Sequence, residues 1–336
     1  MIEGPLKGYH HETYVLRLLG GSHVVKVREP RAQILWFDRR CFGSEEELLR
    51  ALDGAVTRIP QVHDVGGVGL QGFIEGRTLP TRWWMGGRVH HAIFDQIVER
   101  FRELNRIKPS MLDGVPRRCR AKDRAPDGDT AVFMERLIVF TEEQVYAKNL
   151  TTFGNLFEEL GLSDESFAML RKRMSGLQRR PFCLLHADLH RKNFIVDPHG
   201  QLWTIDWELA MLGDPLYDLA THLYLMRYPA DQRRRMADAW QLAVEDANPG
   251  GSHGMESDLD LLLDFKKAQS VFTDVIRVSL SLNDDLGIKR VALPWAAREV
   301  QRVLIAGAEP LGLDDVPRLP QITAALERQR RMMVSI

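Results

Sequence analysis

Residues 182–218 read F-C-L-L-H-A-D-L-H-R-K-N-F-I-V-D-P-H-G-Q-L-W-T-I-D-W-E-L-A-M-L-G-D-P-L-Y-D. An apolar run leads into a polar loop, a short strand, a turn at Asp197-Pro198-His199-Gly200, a second strand and a carboxylate. Such a hairpin brings Asp188 and Asn193 of the loop beside Asp206 at the end of the second strand. Two carboxylates and an amide oxygen then converge. Phosphoryl transfer needs this set: hard oxygen ligands for Mg2+ and a carboxylate that orients the attacking hydroxyl. Two other readings use the same residues. His186, Asp188 and His190 alternate on an extended segment and could form a transition-metal triad for hydrolysis, although no further His/Asp cluster completes it. The carboxylates could equally be solvated turn residues.

The segment resembles the aminoglycoside phosphotransferase and choline-kinase-like family, relatives of the protein kinases in fold. The loop H-x-D-x-x-x-x-N is matched by His186, Asp188 and Asn193. The motif I-D-[FW]-[ED] is matched by Ile205-Asp206-Trp207-Glu208, and G-D-P-x-x-D-L-A by Gly213 to Ala220. The resemblance implies that Asp188 is the catalytic base, or hydroxyl-orienting carboxylate. It implies that Asn193 and Asp206 hold Mg2+ against the phosphates of ATP. His186 is expected to be structural, and Asp218 to hydrogen-bond the loop rather than do chemistry. His190 stands where protein kinases often carry a phosphate-directed lysine; a phosphate contact and a packed loop histidine are both open.

The elements that must position these residues follow from periodicity. Thr13–Leu19 and His23–Arg28 read as a strand pair around the turn Gly20-Gly21-Ser22. Ser44 is an N-cap for a helix over 45–52, with Glu47 at the capping-box position. Val62–Val65 and Gly69–Ile74 read as further strands. Beyond Gly76 the periods become helical, over 90–107, 163–177, 214–228, 230–247 and 258–282. The expected fold is α+β and two-lobed, protein-kinase-like: a strand-rich nucleotide-binding lobe over 1–76 and a mainly helical catalytic and acceptor-binding lobe over 77–336.

Within the small lobe the resemblance implies a phosphate-binding lysine. Lys26 and Arg28 share one strand face, opposite Val25 and Val27. Lys26 fits best, with Arg28 the register-shifted alternative and a solvated lysine the bland one. Glu45, in line with Leu48, Leu49 and Leu52, is the expected ion-pair partner, while Glu46 and Glu47 are expected to point to solvent. Gly4-Pro5-Leu6-Lys7-Gly8-Tyr9-His10-His11 looks like a phosphate-covering loop that departs from G-x-G-x-x-G. Leu70 to Gly76 resembles the interlobe hinge, whose backbone at Gly72, Phe73 and Ile74 would bind adenine. Arg117, Arg118, Arg120, Lys122 and Arg124 form a basic run that reads as a solvated loop, and Trp83 and Trp84 read as core.

Composition sets the outer bounds. The chain has 336 residues, a formal net charge of −1 and three scattered cysteines. Near-zero charge gives no support to nucleic-acid binding. No stretch approaches the roughly 18 apolar residues of a membrane span, and the N-terminus has no apolar signal region. Few cysteines suit a reducing, cytoplasmic setting. Only seven residues separate Asp206 from Asp214, none of them Ser, Thr or Tyr. A long activation segment is therefore absent, which favours a small hydroxyl acceptor over a protein. Within the resembling family, that acceptor would be an aminoglycoside-like antibiotic, or choline, an amino alcohol or a sugar. A nucleotide-holding pseudokinase is the non-catalytic alternative. Residues 244–285 carry nine carboxylates against three Lys and Arg, which suggests a cationic acceptor. Glu208, Asp264 and Asp274 are the candidate acceptor contacts; a solvated acidic helix face is the competing reading.

Overall fold

The computed structural model describes residues 2–7, 11–17, 24–30, 39–80, 87–282 and 292–334. The turn at 20–22, Gly8 to His10, Trp83, Trp84, Asp284 and Asp285 lie outside the described residues. The chain forms two compact units. Among the described residues, one takes those up to 30, 39–130 and 179–255; the other takes 131–178 and 256 onward.

The first unit opens with an antiparallel five-stranded sheet, ordered β1-β2-β3-β5-β4. Its strands are β1 (Ile2–Lys7), β2 (His11–Arg17), β3 (Val24–Pro30), β4 (Val62–Val65) and β5 (Val68–Gly72). Residues 4–7, expected as a phosphate-covering loop, belong to β1. The strand sits at the sheet edge, where Pro5 removes no ladder bond, and its register slips between Glu3 and Leu6. Helix α1 (Glu45–Leu52) starts as expected: the Ser44 side chain accepts from the Glu47 N–H at 3.0 Å. Leu48, Leu49 and Leu52 are buried. At about 25 cal/mol per Å2 of apolar surface, each contributes roughly 2 kcal/mol to holding the helix on the sheet.

Residues 182–218 form four short strands of the same unit and the start of a helix. Strand β6 (Arg77–Thr78) leads to helix α2 (His91–Arg106), and α3 (Thr130–Phe140) follows a long loop. Helices α4 (Leu150–Glu159) and α5 (Asp164–Arg173) precede β7 (Cys183–Leu185). Then come β8 (Phe194–Val196), β9 (Leu202–Thr204), β10 (Met211–Gly213), α6 (Pro215–Met226) and α7 (Ala230–Ala247). β8 pairs with β9 around the Asp197–Gly200 turn, and with β6 on its other edge. β10 pairs with β7. Inside, Arg100 of α2 is buried and donates to Glu103 at 2.6 Å, to the Thr57 carbonyl at 2.6 Å and to Thr204 of β9 at 3.0 Å. Burial lowers its pKa to about 10, which leaves it cationic.

The second unit is helical, with α3, α4, α5, most of α8 (Met255–Leu280), α9 (Leu293–Leu311) and α10 (Leu319–Val334). Tyr146, Phe157, Phe167 and Phe272 form its aromatic centre, with Phe167 and Phe272 stacked at 4.7 Å. No helix among the described residues is long and apolar enough to cross a membrane.

Gly76, just before β6, and Gly200, in the β8–β9 turn, respond differently to a methyl group. Gly76 has φ +154°, and a Cβ there would lie 2.4 Å from the Val196 carbonyl oxygen. Gly200 has φ +78° but open space around it. Gly200→Ala is therefore expected to cost about 1 kcal/mol of backbone strain, and Gly76→Ala about 3 kcal/mol, because the β6–β8 pairing must open. Denaturant unfolding of the two variants checks the order; equal losses would show that β6 yields freely.

Candidate active site

Strand β7 is wholly buried and ends at His186. The chain then turns through Ala187 in the left-handed region, at φ +63°. A non-glycine residue there costs about 1 kcal/mol, so something must hold it. Asp218 does: its two carboxylate oxygens accept the N–H groups of His186 at 3.1 Å and Ala187 at 2.8 Å. One turn on along α6, His222 takes the far side of the loop. Its Nδ1 lies 2.9 Å from the Leu189 carbonyl and its Nε2 2.9 Å from the Tyr228 hydroxyl. A carbonyl only accepts, so Nδ1 carries the hydrogen and Nε2 accepts from Tyr228. Asp188, half-buried, stands between these two anchors.

Asn193 joins Asp188 to the hairpin. Its Nδ2 donates to the Asp188 Oδ2 at 3.0 Å and to the Asp188 carbonyl at 2.9 Å. That use of the nitrogen leaves Oδ1 as the amide's donor to a cation. The Asn193 carbonyl accepts from the Ile205 N–H at 3.0 Å, which extends the β8–β9 ladder by one pair and sets Asp206 beside it. Asp206 is itself left-handed, at φ +69° and ψ 62°, a conformation that Asp tolerates better than most residues. The donor set, a carboxylate and an amide oxygen, suits Mg2+ completed by phosphate and water. Among the described residues, no three of His, Cys, Asp and Glu gather as a metal cage, so the transition-metal triad is not formed. His186 explains why: it is fully buried, and its Nε2 donates to the Ile205 carbonyl at 3.1 Å. His190 keeps near the loop carboxylate, with Nε2 3.6 Å from the Asp188 Oδ2, and its Nδ1 accepts from the Asn193 N–H at 3.3 Å.

The small-sheet residues fall as follows. Val25 is buried and Lys26 half-buried, so the alternation holds; Lys26 lies opposite Val15 on β2 and Gln71 on β5. Arg28 is described by its backbone alone, opposite Thr13. Glu45 is half-buried, and its Oε1 accepts from the Trp207 N–H at 2.8 Å, directly after Asp206. Glu46 does not point to solvent: its Oε1 accepts from the Gln71 amide at 2.8 Å, beside Lys26. At the expected hinge, the Gly72 N–H donates to the Gln61 carbonyl at 2.7 Å and the Phe73 N–H to the Val24 carbonyl at 2.8 Å. Neither hydrogen is available to a base. An adenine at this strand would use its carbonyl oxygens, or Ile74.

The acidic candidates separate. Glu208 is half-buried on a short 3-10 turn two residues after Asp206. Asp264 does not offer a carboxylate to an acceptor: it is buried, and it accepts from Arg173 at 2.7 Å and Lys267 at 2.7 Å. Arg173 lies 91 positions away in sequence, whereas Lys267 is an i, i+3 neighbour on the same helix. Asp274 is half-buried, accepts from Ser270 at 2.6 Å and has Arg277 at 3.8 Å. Much of the acid excess over 244–285 is spent in the same way, Asp258 on the Gln178 N–H and Glu245 on Gly250 and Ser252.

Two arginines that sequence pattern does not mark also position the site. Arg191 donates to the carbonyls of Met226, Pro80 and Gly87. Arg180, fully buried, ion-pairs with Asp214 at 2.9 Å; Asp214 in turn caps α6 through the Leu216 N–H. An arginine beside a loop carries no local pattern, but the buried i, i+4 pair Asp218 and His222 could have been read from α6.

Burial pushes the pKa of His186 down to about 4 and that of His222 to about 3. Unfolded, each titrates near 6.5. The unfolded chain thus binds protons that the folded one refuses, and stability falls as pH drops below about 6.5. Each histidine contributes up to roughly 1.4 kcal/mol per pH unit, down to about its folded pKa. Denaturant titrations between pH 7 and 5 are expected to show this slope, and His222→Gln to reduce it. An unchanged slope in the variant would mean that His222 is protonated when folded.

The comparisons bear on the whole chain. The profile of the phosphotransferase enzyme family matches residues 2–251. None of the curated proteins matches. Three solved structures are similar in fold. The choline kinase LicA from Streptococcus pneumoniae has a TM-score of 0.51 and 18% identity, covering 92% of this chain and 93% of that one. The macrolide 2'-phosphotransferase MphH from Brachybacterium faecium has 0.52 and 13%, covering 94% and 93%. A choline/ethanolamine kinase family protein from Mesorhizobium loti has 0.50 and 16%, covering 98% and 92%. With most of its length matched and its catalytic segment folded as above, the chain belongs to the phosphotransferase enzyme family, as an ATP-dependent small-molecule kinase of protein-kinase-like fold.

Proposed function

We propose that the chain moves the γ-phosphate of ATP to a hydroxyl of a small cationic molecule, with Mg2+ as the metal. The carrying observation is the Asn193 side chain. Its nitrogen holds Asp188 at 3.0 Å while its backbone pairs with Ile205, one residue before Asp206. Base and metal ligands are thus one hydrogen-bonded assembly. In the proposed reaction Asp188 accepts or orients the acceptor O–H hydrogen. The acceptor oxygen bonds to the γ-phosphorus as the bond to the ADP oxygen breaks. Asn193 and Asp206 would hold Mg2+, which supplies charge neutralisation at the phosphates. Lys26 is proposed as the phosphate lysine, with Glu45 as the carboxylate that ties its helix to the metal loop through Trp207. The strand from Gly72 to Ile74 is proposed to receive adenine, and the division of nucleotide and acceptor roles near residue 76 belongs to the same reading.

A cationic acceptor rests on Glu208 and Asp274; Asp274 accepts from Ser270, and Arg277 stands 3.8 Å from it. Asp264 is withdrawn from that set by its ion pairs. An amine-bearing antibiotic is the proposed acceptor; choline or an amino alcohol presents the same charge.

Asp188→Asn is expected to lower kcat by at least about 100-fold, the scale for a positioned acid–base group, with nucleotide affinity kept. Near-normal turnover would remove Asp188 from the role. Asp206→Ala should shift the Mg2+ requirement further than Asn193→Ala, because an amide oxygen carries no net charge; activity titrated against Mg2+ reads this. A panel of hydroxylated antibiotics and metabolites, screened by mass for gain of one phosphoryl group, identifies the acceptor. For a cationic one, KM rises with ionic strength through about 0.1 M, where the screening length is about 10 Å. A best acceptor that is neutral or anionic, with a salt-indifferent KM, overturns the charge reading alone.

A further inference from the structure

Two of the three cysteines meet, although 77 residues separate them. Cys41 lies four residues before Glu45, at the entrance to α1. Cys119 lies in the basic run of the 112–129 loop. The backbone joins them. The N–H groups of Arg118 and Cys119 both point to the Cys41 carbonyl, at 3.0 and 3.4 Å, and Gly43 donates to the Pro116 carbonyl at 2.7 Å. Phe42 bridges to Arg117, whose guanidinium lies 4.3 Å from the Phe42 ring centre. Each thiol perturbs the other's protonation, and both residues are only half-buried.

The surroundings make the pair unequal. The hydrogen bond from Cys41 acts first on Cys119, then that of Arg124, and then the charges of Arg124 and Arg117; together they bring the Cys119 thiol down to about 6. Cys41 is pushed up by the same hydrogen bond and by burial, against the opposing charges of Arg39 and Arg117. Arg124 is held in place by its bond to the Cys119 carbonyl at 2.8 Å. A lowered Cys119 thiol beside a raised Cys41 thiol matches the arrangement of an attacking and a resolving cysteine. Cys183 is fully buried, and burial raises its thiol, so it serves as an internal control.

We propose that Cys41 and Cys119 form a reversible dithiol–disulfide pair, closed by a small-molecule disulfide of the glutathione type and opened by the matching thiol. The Cys119 thiolate attacks one sulfur of the small disulfide, forms a mixed disulfide and expels one thiolate. Cys41 gives up its proton, attacks the Cys119 sulfur and expels the second thiolate. Two protein thiols and one small disulfide thus become one protein disulfide and two small thiols. The Cys119 N–H, 3.4 Å from the Cys41 carbonyl, keeps the two backbones close, as the closely spaced Cα atoms of a disulfide require. Closure would fix the chain entering α1, the helix whose Glu45 holds the Trp207 N–H.

The test treats reduced full-length protein with excess oxidised glutathione at neutral pH and maps the peptides without reduction. The expected result is a loss of two hydrogens, a Cys41–Cys119 linked peptide and reversal by dithiothreitol. Cys41→Ser should trap a stable glutathione adduct on Cys119, and Cys119→Ser should give neither link nor adduct in the same time. A wild-type protein that stops at the adduct, that reacts first at Cys41 or Cys183, or that does not react while its urea-unfolded form does, overturns the proposal.

Discussion

The candidate site depends on one carboxylate that holds backbone. Asp218 accepts the N–H groups of His186 and Ala187 and so holds the left-handed turn that carries Asp188. Without it, two buried amides lose their partner at about 1–3 kcal/mol each, and the strain at Ala187 has nothing to oppose it. α6 is the rigid element on which this rests. Asp218 and His222 are four residues apart on it, on one face, and bracket Asp188 through Ala187 and Leu189. The helix is anchored at its start by Asp214, which accepts from Arg180 at 2.9 Å and Thr130 at 2.6 Å with no exposure to water. A buried ion pair of this kind adds little net stability, but breaking it leaves an uncompensated charge at a cost of about 3–5 kcal/mol. The loop therefore has one geometry rather than several.

A second constraint places the proposed metal ligands against that loop. Asn193 and Ile205 continue the ladder begun by Phe194 and Thr204, so the separation of Asn193 and Asp206 is a property of the hairpin and not of either side chain. Arg100 secures the hairpin from below, bonding Thr204 and the Thr57 carbonyl. Glu103 accepts from Thr57 and thus closes the set. These bonds run between α2, β9 and the segment after α1. A charged group kept dry at that junction resists relaxation of the site more than apolar contact would, because apolar contact has no preferred direction.

What could be read from the chain in advance was whatever rests on short-range pattern. The loop, the hairpin and the cap of α1 depend on neighbours within a few residues, and each lies where the periodicity puts it. Alternation along β3 likewise sends Val25 inward and leaves Lys26 half-buried. What could not be read depends on distant partners. Asp264 looks like a free carboxylate beside an apolar stripe, and only the fold brings Arg173 to it. Glu46 seemed a solvated first-turn residue, yet Gln71 from another strand draws it inward. The same holds for the N–H groups of Gly72 and Phe73, which a hinge reading would assign to adenine and the sheet uses for itself. Gly and Pro near the N-terminus suggested a loop, and an edge strand tolerates both.

The short stretch after Asp206 also bears on control. In seven residues the chain makes a 3-10 turn and then β10, which pairs in register with β7, the strand that leads into the catalytic loop. The two ends of the site are thereby tied to each other by backbone bonds, and no long segment lies between them to be ordered or released. Phosphorylation-driven ordering of an activation segment, which depends on such a segment, has no place to act here. Any adjustable element must lie where the framework meets the site through fewer bonds. The entrance to α1 is where we place it: Glu45 accepts from the Trp207 N–H beside Asp206, and the chain before it is held by backbone bonds to residues 116–119. Stiffening that entrance changes how firmly Glu45 is presented and leaves the β7–β10 and β8–β9 ladders as they are. A covalent link there would act on the position of α1 without touching Asp188, Asn193 or Asp206.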